Sequence, residues 1–275
     1  MGVLSFDIQA HRGGAGLAPE NTLAAFGNAL TIGVSTLECD VHITGDGVPV
    51  LSHERTYCGQ VIPLLTYAEL ATLHPLGLEP IPTLADLLAL RARREADTVG
   101  LNIETKFDVV HPDESAPRER FVESVLGVLE GQAALDTSSI QSFDWAVLRL
   151  VRAAEPRLAL NALTNTDRLE VHQAGASPWL AGLDIDDFAD SVAAAVSSLG
   201  FDAISPSHTI LTPAMIAEAH EAELRVLPYT VDNEPMMRHL IQIGVDGLIT
   251  NRPDLLREVL ASMDQPLPRR YPPRG

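Results

Sequence analysis

Four short stretches of this chain carry side chains that could do chemistry together: His11-Arg12-Gly13, Glu38-Cys39-Asp40, His53, and Glu104-Thr105-Lys106. Glu38, Asp40 and Glu104 would form three converging carboxylates, which repel one another unless something positive sits between them. An all-oxygen ligand set without cysteine suits a hard divalent cation, Mg²⁺ or Ca²⁺, better than zinc. Ion pairing to Lys106 and Arg12 without a metal is the plainer alternative, and one isolated Glu-x-Asp would favour it. The neighbouring Glu-x-Lys and His-Arg favour the metal. Three carboxylates, a divalent ion and the two cations leave one net positive charge, which matches the single negative charge of a phosphodiester. The metal would act as a Lewis acid on a phosphoryl oxygen. Arg12 offers a planar fork to phosphate oxygens, and Lys106 a point charge. His11 and His53 take the proton transfers, because histidine titrates near neutrality and one ring can accept a proton while the other donates. His42 shares the face of Glu38 and Asp40 but lies further along, so it is placed behind the reacting groups. His74, His111, His172, His220 and His239 are read as surface residues.

These residues need elements that bring them to one place. Phe6 to Ala10 has strand character, and Leu23 to Ile32 reads as a helix, with Asn21 or Thr22 available as its cap. The glycine-rich loop between them starts with His11 and Arg12. In Thr36 to Thr44, strict alternation puts Glu38, Asp40 and His42 on one face and Leu37, Cys39, Val41 and Ile43 on the other. Gly45-Asp46-Gly47 is a turn signal, so Val48 to His53 should pair antiparallel with that strand. Glu54 to Thr83 reads as an irregular insertion with a short helical piece, Tyr67 to Leu73. Val99 to Lys106 repeats the alternation, with Asn102, Glu104 and Lys106 on one face. Strands are expected near 6–11, 36–43, 99–105, 138–143, 158–163, 202–206, 225–231 and 246–250. Helices are expected in most of the connections between them. That alternation implies a parallel sheet with right-handed crossovers, and eight units fit a closed (β/α)8 barrel. Gly13-Gly14-Ala15-Gly16 has the wrong spacing for a dinucleotide loop, and a P-loop lysine is missing. Barrel sites lie at the carboxyl ends of strands, where the named residues fall. The later strand ends supply a more neutral wall: Ser142, Ser205, His208, Tyr229 and Asn251.

Composition sets the boundaries. A length of 275 residues with net charge −18 argues against nucleic acid or an anionic membrane as partner. The two cysteines, Cys39 and Cys58, are too few for a disulfide scaffold and suit a reducing compartment. The start has no leader pattern, and no apolar run reaches membrane-spanning length, so a cytoplasmic location is expected. Residues 1–264 read as a single domain with the insertion at about 46–83. The Pro/Arg-rich tail, 265–275, should be poorly ordered.

At these residues the chain strongly resembles the glycerophosphodiester phosphodiesterase family. The likeness rests on His11-Arg12-Gly13 with Pro19-Glu20-Asn21-Thr22, Glu38-x-Asp40-Val41, Thr44-Gly45-Asp46-Gly47 and His53. It continues through Glu104-x-Lys106, Ser142-Phe143 and Gly244 to Pro253. The resemblance implies a TIM barrel with a small insertion after the second strand. It implies a metal held by Glu38, Asp40 and Glu104, an acid/base pair of His11 and His53, and substrate contacts from Arg12 and Lys106. Asn21, also a brace of its loop, and Tyr229, an aromatic wall for the glycerol, join those contacts. The implied reaction is hydrolysis of a glycerophosphodiester to sn-glycerol 3-phosphate and an alcohol, the substrate's own 2-hydroxyl attacking phosphorus first. Two positions depart from the family pattern: Glu54 stands where Asp is usual after the second histidine, and Tyr229 where Trp is often found. A lysophospholipase D-like hydrolase on the same fold and a non-catalytic phosphate-binding barrel are the competing readings.

Overall fold

The structure, a computed structural model, describes residues 6–73, 79–173 and 175–273. The readings of residues 1–5 and of His74 lie outside these. Eight parallel strands form the inner wall: β1 (Asp7–Ala10), β2 (Thr36–Ile43), β6 (Gly100–Thr105), β7 (Ser138–Ser142), β8 (Ala159–Thr164), β9 (Ala203–Pro206), β10 (Arg225–Val226) and β11 (Gly247–Thr250). Their spatial order is β10-β9-β8-β7-β6-β2-β1-β11. Backbone hydrogen bonds close the ring: Asp246 N donates to Val226 O, Ile249 N to Pro228 O, and Val231 N to Ile249 O. This is the TIM barrel expected from the strand–helix alternation.

The helices pack outside and begin where their caps put them. α1 (Leu23–Ile32) starts at Thr22, whose hydroxyl accepts from Ala25 N, so Thr22 rather than Asn21 is the cap. α3 (Leu84–Arg93) starts with a Thr83/Asp86 capping box. α4 (Arg118–Gly131), α5 (Trp145–Ala154), α7 (Val192–Ser198), α8 (Pro213–Glu221), α9 (Glu234–Ile243) and α10 (Pro253–Ser262) complete the outer layer. The alternating apolar residues Leu37, Cys39, Val41 and Ile43 are fully buried in the core between strands and helices. Among the described residues no helix is long and apolar enough to cross a membrane.

Four local differences from the expected elements have physical causes. The strand expected at 225–231 is regular only over Arg225–Val226; beyond it Leu227 N and Tyr229 N still donate to Ile204 O and Pro206 O, while Pro228 has no N–H to offer the neighbour on its other side. The first strand ends at Ala10, and His11–Gly13 turns in a 3-10 helix. The insertion holds β3 (Pro49–Leu51), antiparallel to β2, and then a hairpin of β4 (Thr56–Tyr57) and β5 (Gln60–Val61). The short helix α2 (Tyr67–Leu70) follows, and the insertion has its own small core of Val50, Ile62, Leu70 and Ile81. The tail, expected to be poorly ordered, packs on the barrel. Tyr271 is buried, its N–H donates to Leu30 O, and its carbonyl accepts from Arg94.

Candidate active site

The loop after β1 is held in a conformation its own residues do not favour. Arg12 adopts φ 52°, ψ 32°, the left-handed region that a non-glycine residue enters at a cost. The neighbours fix it there. Arg12 N donates to Glu38 Oε2 at 2.8 Å, and Arg12 O accepts from Asn21 N at 3.0 Å. Gly13 has φ 82°, and a Cβ there would meet Ala25 and Phe26 at 2.9 Å, so only glycine fits between the loop and α1. The strained turn aims His11 and Arg12 at the barrel mouth.

Glu38, Asp40 and Glu104 stand together at that mouth, all buried, with ligand oxygens within 4.8 Å of one another. Burial, with Asp40 and Glu104 close by, pushes Glu38 well above the ordinary carboxylate range. Glu104 is raised mainly by burial, partly offset by Lys106. Burial alone would raise Asp40 too, but Lys106, Arg12 and His11 outweigh it and lower its pKa. Lys106 Nζ lies 2.8 Å from Glu104 Oε1 and 3.7 Å from Asp40 Oδ1, and Arg12 Nε lies 3.0 Å from Asp40 Oδ2. Asp40 Oδ1 has no hydrogen-bond partner although it is buried. A buried carboxylate oxygen left bare among two other carboxylates fits a hard cation.

The two histidines are held differently. His11 Nδ1 lies 2.7 Å from Asn251 Oδ1. Asn251 Nδ2 donates to Asp232 Oδ2 at 2.7 Å, and Asn251 N to Asp232 Oδ1 at 2.8 Å. A carboxylate only accepts, so the amide must turn its oxygen to His11. His11 Nδ1 therefore carries the proton, and Nε2 has a free lone pair. Burial and the Arg12 charge also lower the His11 pKa, which favours the neutral ring. His53 Nδ1 instead lies 2.8 Å from the Glu54 carboxylate, which only accepts, so Nδ1 carries a proton and Nε2 faces away from that partner. Glu54, despite its extra methylene, thus braces His53, and the bond lowers its own pKa. His42 donates from Nε2 to His53 O at 3.3 Å if that nitrogen carries the proton; burial keeps its ring neutral, with a pKa lowered to about 4.

Two clefts meet at His53, Glu104, Lys106 and Phe143. One, of about 170 Å³, is walled by His11, Arg12, Tyr229 and Ile249. The other, of about 210 Å³, opens past His42, Arg55, Arg168 and Trp179. Tyr229 is where the sequence put it, but its hydroxyl donates to Thr164 O at 3.0 Å and is not offered to a ligand. Burial raises its pKa. Asn21, expected among the substrate contacts, is buried and committed to Asp40: Nδ2 donates to Asp40 Oδ2, and Oδ1 accepts from Asp40 N. It holds a carboxylate in place. His11, Arg12, Glu38, Asp40, His53, Glu104 and Lys106 do come together. Reasoning from sequence missed Gln141, whose Nε2 donates to Glu38 Oε1 at 2.8 Å, together with Asp232 and Arg168. Gln141 alternates inward on its strand and could have been found that way. Asp232 lies in a loop and Arg168 in a helix of only four residues, Thr166–Leu169, so neither carries a periodic signal.

A parallel barrel whose acids, bases and cations gather at the carboxyl ends of its strands has the layout of a barrel enzyme's active site. Residues 11–255 match the model of the glycerophosphoryl diester phosphodiesterase family, and the chain belongs to that family. A glycerophosphodiester phosphodiesterase from Caldanaerobacter subterraneus is 26% identical, over 90% of this chain and 95% of that protein. A crystal structure from Silicibacter pomeroyi, of a protein provisionally named glycerophosphoryl diester phosphodiesterase, superposes with TM-score 0.81 at 29% identity. The match covers 96% of this chain and 95% of that one. An Oleispira antarctica phosphodiesterase, solved in complex with its product sn-glycerol-3-phosphate, has the same fold. Its TM-score is 0.75 at 22% identity, over 94% of this chain and 97% of that one.

Proposed function

We propose that this chain hydrolyses glycerophosphodiesters to sn-glycerol 3-phosphate and a free alcohol. Glu38, Asp40 and Glu104 would hold one divalent cation, Mg²⁺ or Ca²⁺; His11 is the base and His53 the acid. The observation that carries the reading is the bare, buried Asp40 Oδ1 within a trio of carboxylates, beside two histidines whose Nδ1 atoms face a neutral amide oxygen in one and a carboxylate in the other. When bound, the cation would withdraw charge from a phosphoryl oxygen and make phosphorus more electrophilic.

The remaining steps belong to the side chains. The glycerol lies in the cleft beside His11, and the leaving alcohol in the cleft beyond His53. His11 Nε2 takes the proton of the glycerol 2-hydroxyl as that oxygen bonds to phosphorus. His53 Nε2 gives its proton to the leaving alcohol as the phosphorus–oxygen bond breaks. The five-membered cyclic phosphate then opens with the roles reversed. His53 removes a proton from water, and His11 returns its proton to the 2-oxygen. Arg12 and Lys106, bordering the clefts, supply positive charge to the phosphate. The basic lining of the second cleft, with Arg55, Lys106 and Arg168, suits a polar leaving group better than the acyl chain of a lysophospholipid.

The test is replacement of each histidine. His11→Ala and His53→Ala should each cut glycerophosphodiester turnover by ~10²–10⁴-fold while thermal unfolding stays close to wild type. Near-normal turnover by either variant would contradict the assignment.

A further inference from the structure

The cleft beyond His53 has aromatic walls, yet it is not an ammonium cage. Phe143 and Trp179 would be suitable faces for a quaternary ammonium head group. Both already face a guanidinium, with Arg168 Cζ 3.9 Å from the Phe143 ring centre and 4.5 Å from that of Trp179. Tyr229 meets Phe143 edge-on at 5.8 Å and spends its hydroxyl on Thr164. A cation entering here would compete with a cation built into the wall.

Arg168 also differs from the other cations around the mouth. Arg12 pairs with Glu20 and Asp40, Lys106 with Glu104, Arg55 with Glu114, and Arg118 with Asp144. Among the described residues Arg168 forms no ion pair, and its buried Nε has no hydrogen-bond partner. Its backbone is fixed in a short helix, α6 (Thr166–Leu169): its N–H donates to Asn165 Oδ1 and its carbonyl accepts from Ser177 Oγ. The acidic residues lining the cleft are otherwise engaged. Glu104 belongs to the carboxylate trio, and Asp108 accepts from the backbone of Val110 and His111. The cleft thus presents a positioned guanidinium without a counter-ion.

We propose that Arg168 makes this cleft select leaving alcohols that carry an acidic group, a phosphate or a carboxylate, and reject quaternary ammonium. The inference rests on the phosphodiesterase reading, because it assigns the leaving group to this cleft.

The test uses two substrate pairs, each differing by one acidic group, with glycerophosphocholine as the cationic reference. One pair is glycerophosphoinositol and its 4-phosphate; the other is glycerophosphoethanolamine and glycerophosphoserine. The wild-type protein should show at least a tenfold higher kcat/KM for the acidic member of at least one pair, which identifies the preferred acid. Glycerophosphocholine should be the poorest substrate. Arg168→Gln should erase that preference, mainly through KM, by lowering kcat/KM of the acidic substrates at least tenfold relative to glycerophosphocholine; Arg168→Lys should keep part of it. A folding defect lowers all substrates alike and cannot imitate a changed ratio. A wild-type preference for glycerophosphocholine would overturn the inference, as would unchanged ratios in Arg168→Gln, while leaving the phosphodiesterase reading intact. Failure to cleave any of the five diesters would overturn both.

Discussion

At the floor of the barrel, Asn102 is fully buried and its side-chain amide is fully used. Nδ2 donates to Gln9 Oε1 and Gln141 Oε1, and Oδ1 accepts from Ser139 Oγ and Asn161 Nδ2. Two residues along the same strand and on the same face, Glu104 stands at the mouth with Glu38 and Asp40. There the charges are crowded and one oxygen is bare. The floor uses neutral amides that satisfy each other, which stabilises the native barrel. The mouth holds like charges that destabilise the protein until a ligand or cation answers them. Gln141 joins the two regions, accepting from Asn102 with one end of its amide and donating to Glu38 with the other. The well-satisfied floor thus positions a carboxylate of the poorly satisfied mouth, which places precision and strain on the same strands.

Substitutions at the two ends should therefore have opposite signatures. Glu104→Gln should lower turnover most, by roughly 10²-fold or more, through loss of a metal ligand. Metal-free stability should not fall, because burial already raises the Glu104 pKa and its charge is costly there. A urea titration of the chelated variant checks this; a large loss of stability would erase the contrast. Asn102→Ala should do the reverse, costing ~2–4 kcal/mol in the same titration, since four hydrogen bonds lose their partner. An unchanged midpoint would mean that the floor network is not stabilising.

The smallest effect concerns the base. His11 acts deprotonated, so kcat/KM falls as pH drops through its pKa, and that limb should lie below the ordinary histidine value of 6.5. The hydrogen bond to Asn251 raises the His11 pKa, against the burial and Arg12 terms that lower it. Asn251→Ala should therefore move the acid limb to still lower pH and cut kcat about tenfold, by freeing the tautomer. A pH–rate profile that keeps its limb would show that Asn251 does not position His11.

Much of this organisation was legible in the amino-acid order, because short-range rules govern it. Alternation in Thr36–Ile43 and Gly100–Thr105 put Glu38, Asp40 and Glu104 on one face, and their inward direction followed once helices covered the other. Thr22, one of two caps the sequence offered, marked a helix start by chemistry that acts within one turn. Proximity between groups outside the alternating strands was not legible. The Asp232–Asn251–His11 relay joins groups up to 240 positions apart. Arg168 finds Phe143 and Trp179 through a segment with no periodicity. Asn21 has the residue type of a ligand contact, and only its burial and its two bonds to Asp40 reveal a brace.

Whether the carboxylates serve a cation that phosphodiester cleavage requires is decided most directly by one assay. Protein stripped with EDTA is given glycerophosphodiester, and sn-glycerol 3-phosphate release is followed before and after Mg²⁺ or Ca²⁺ is restored. Release should stop on stripping and return with one of the two ions. Release that continues unchanged in the metal-free protein would contradict the role assigned to Glu38, Asp40 and Glu104.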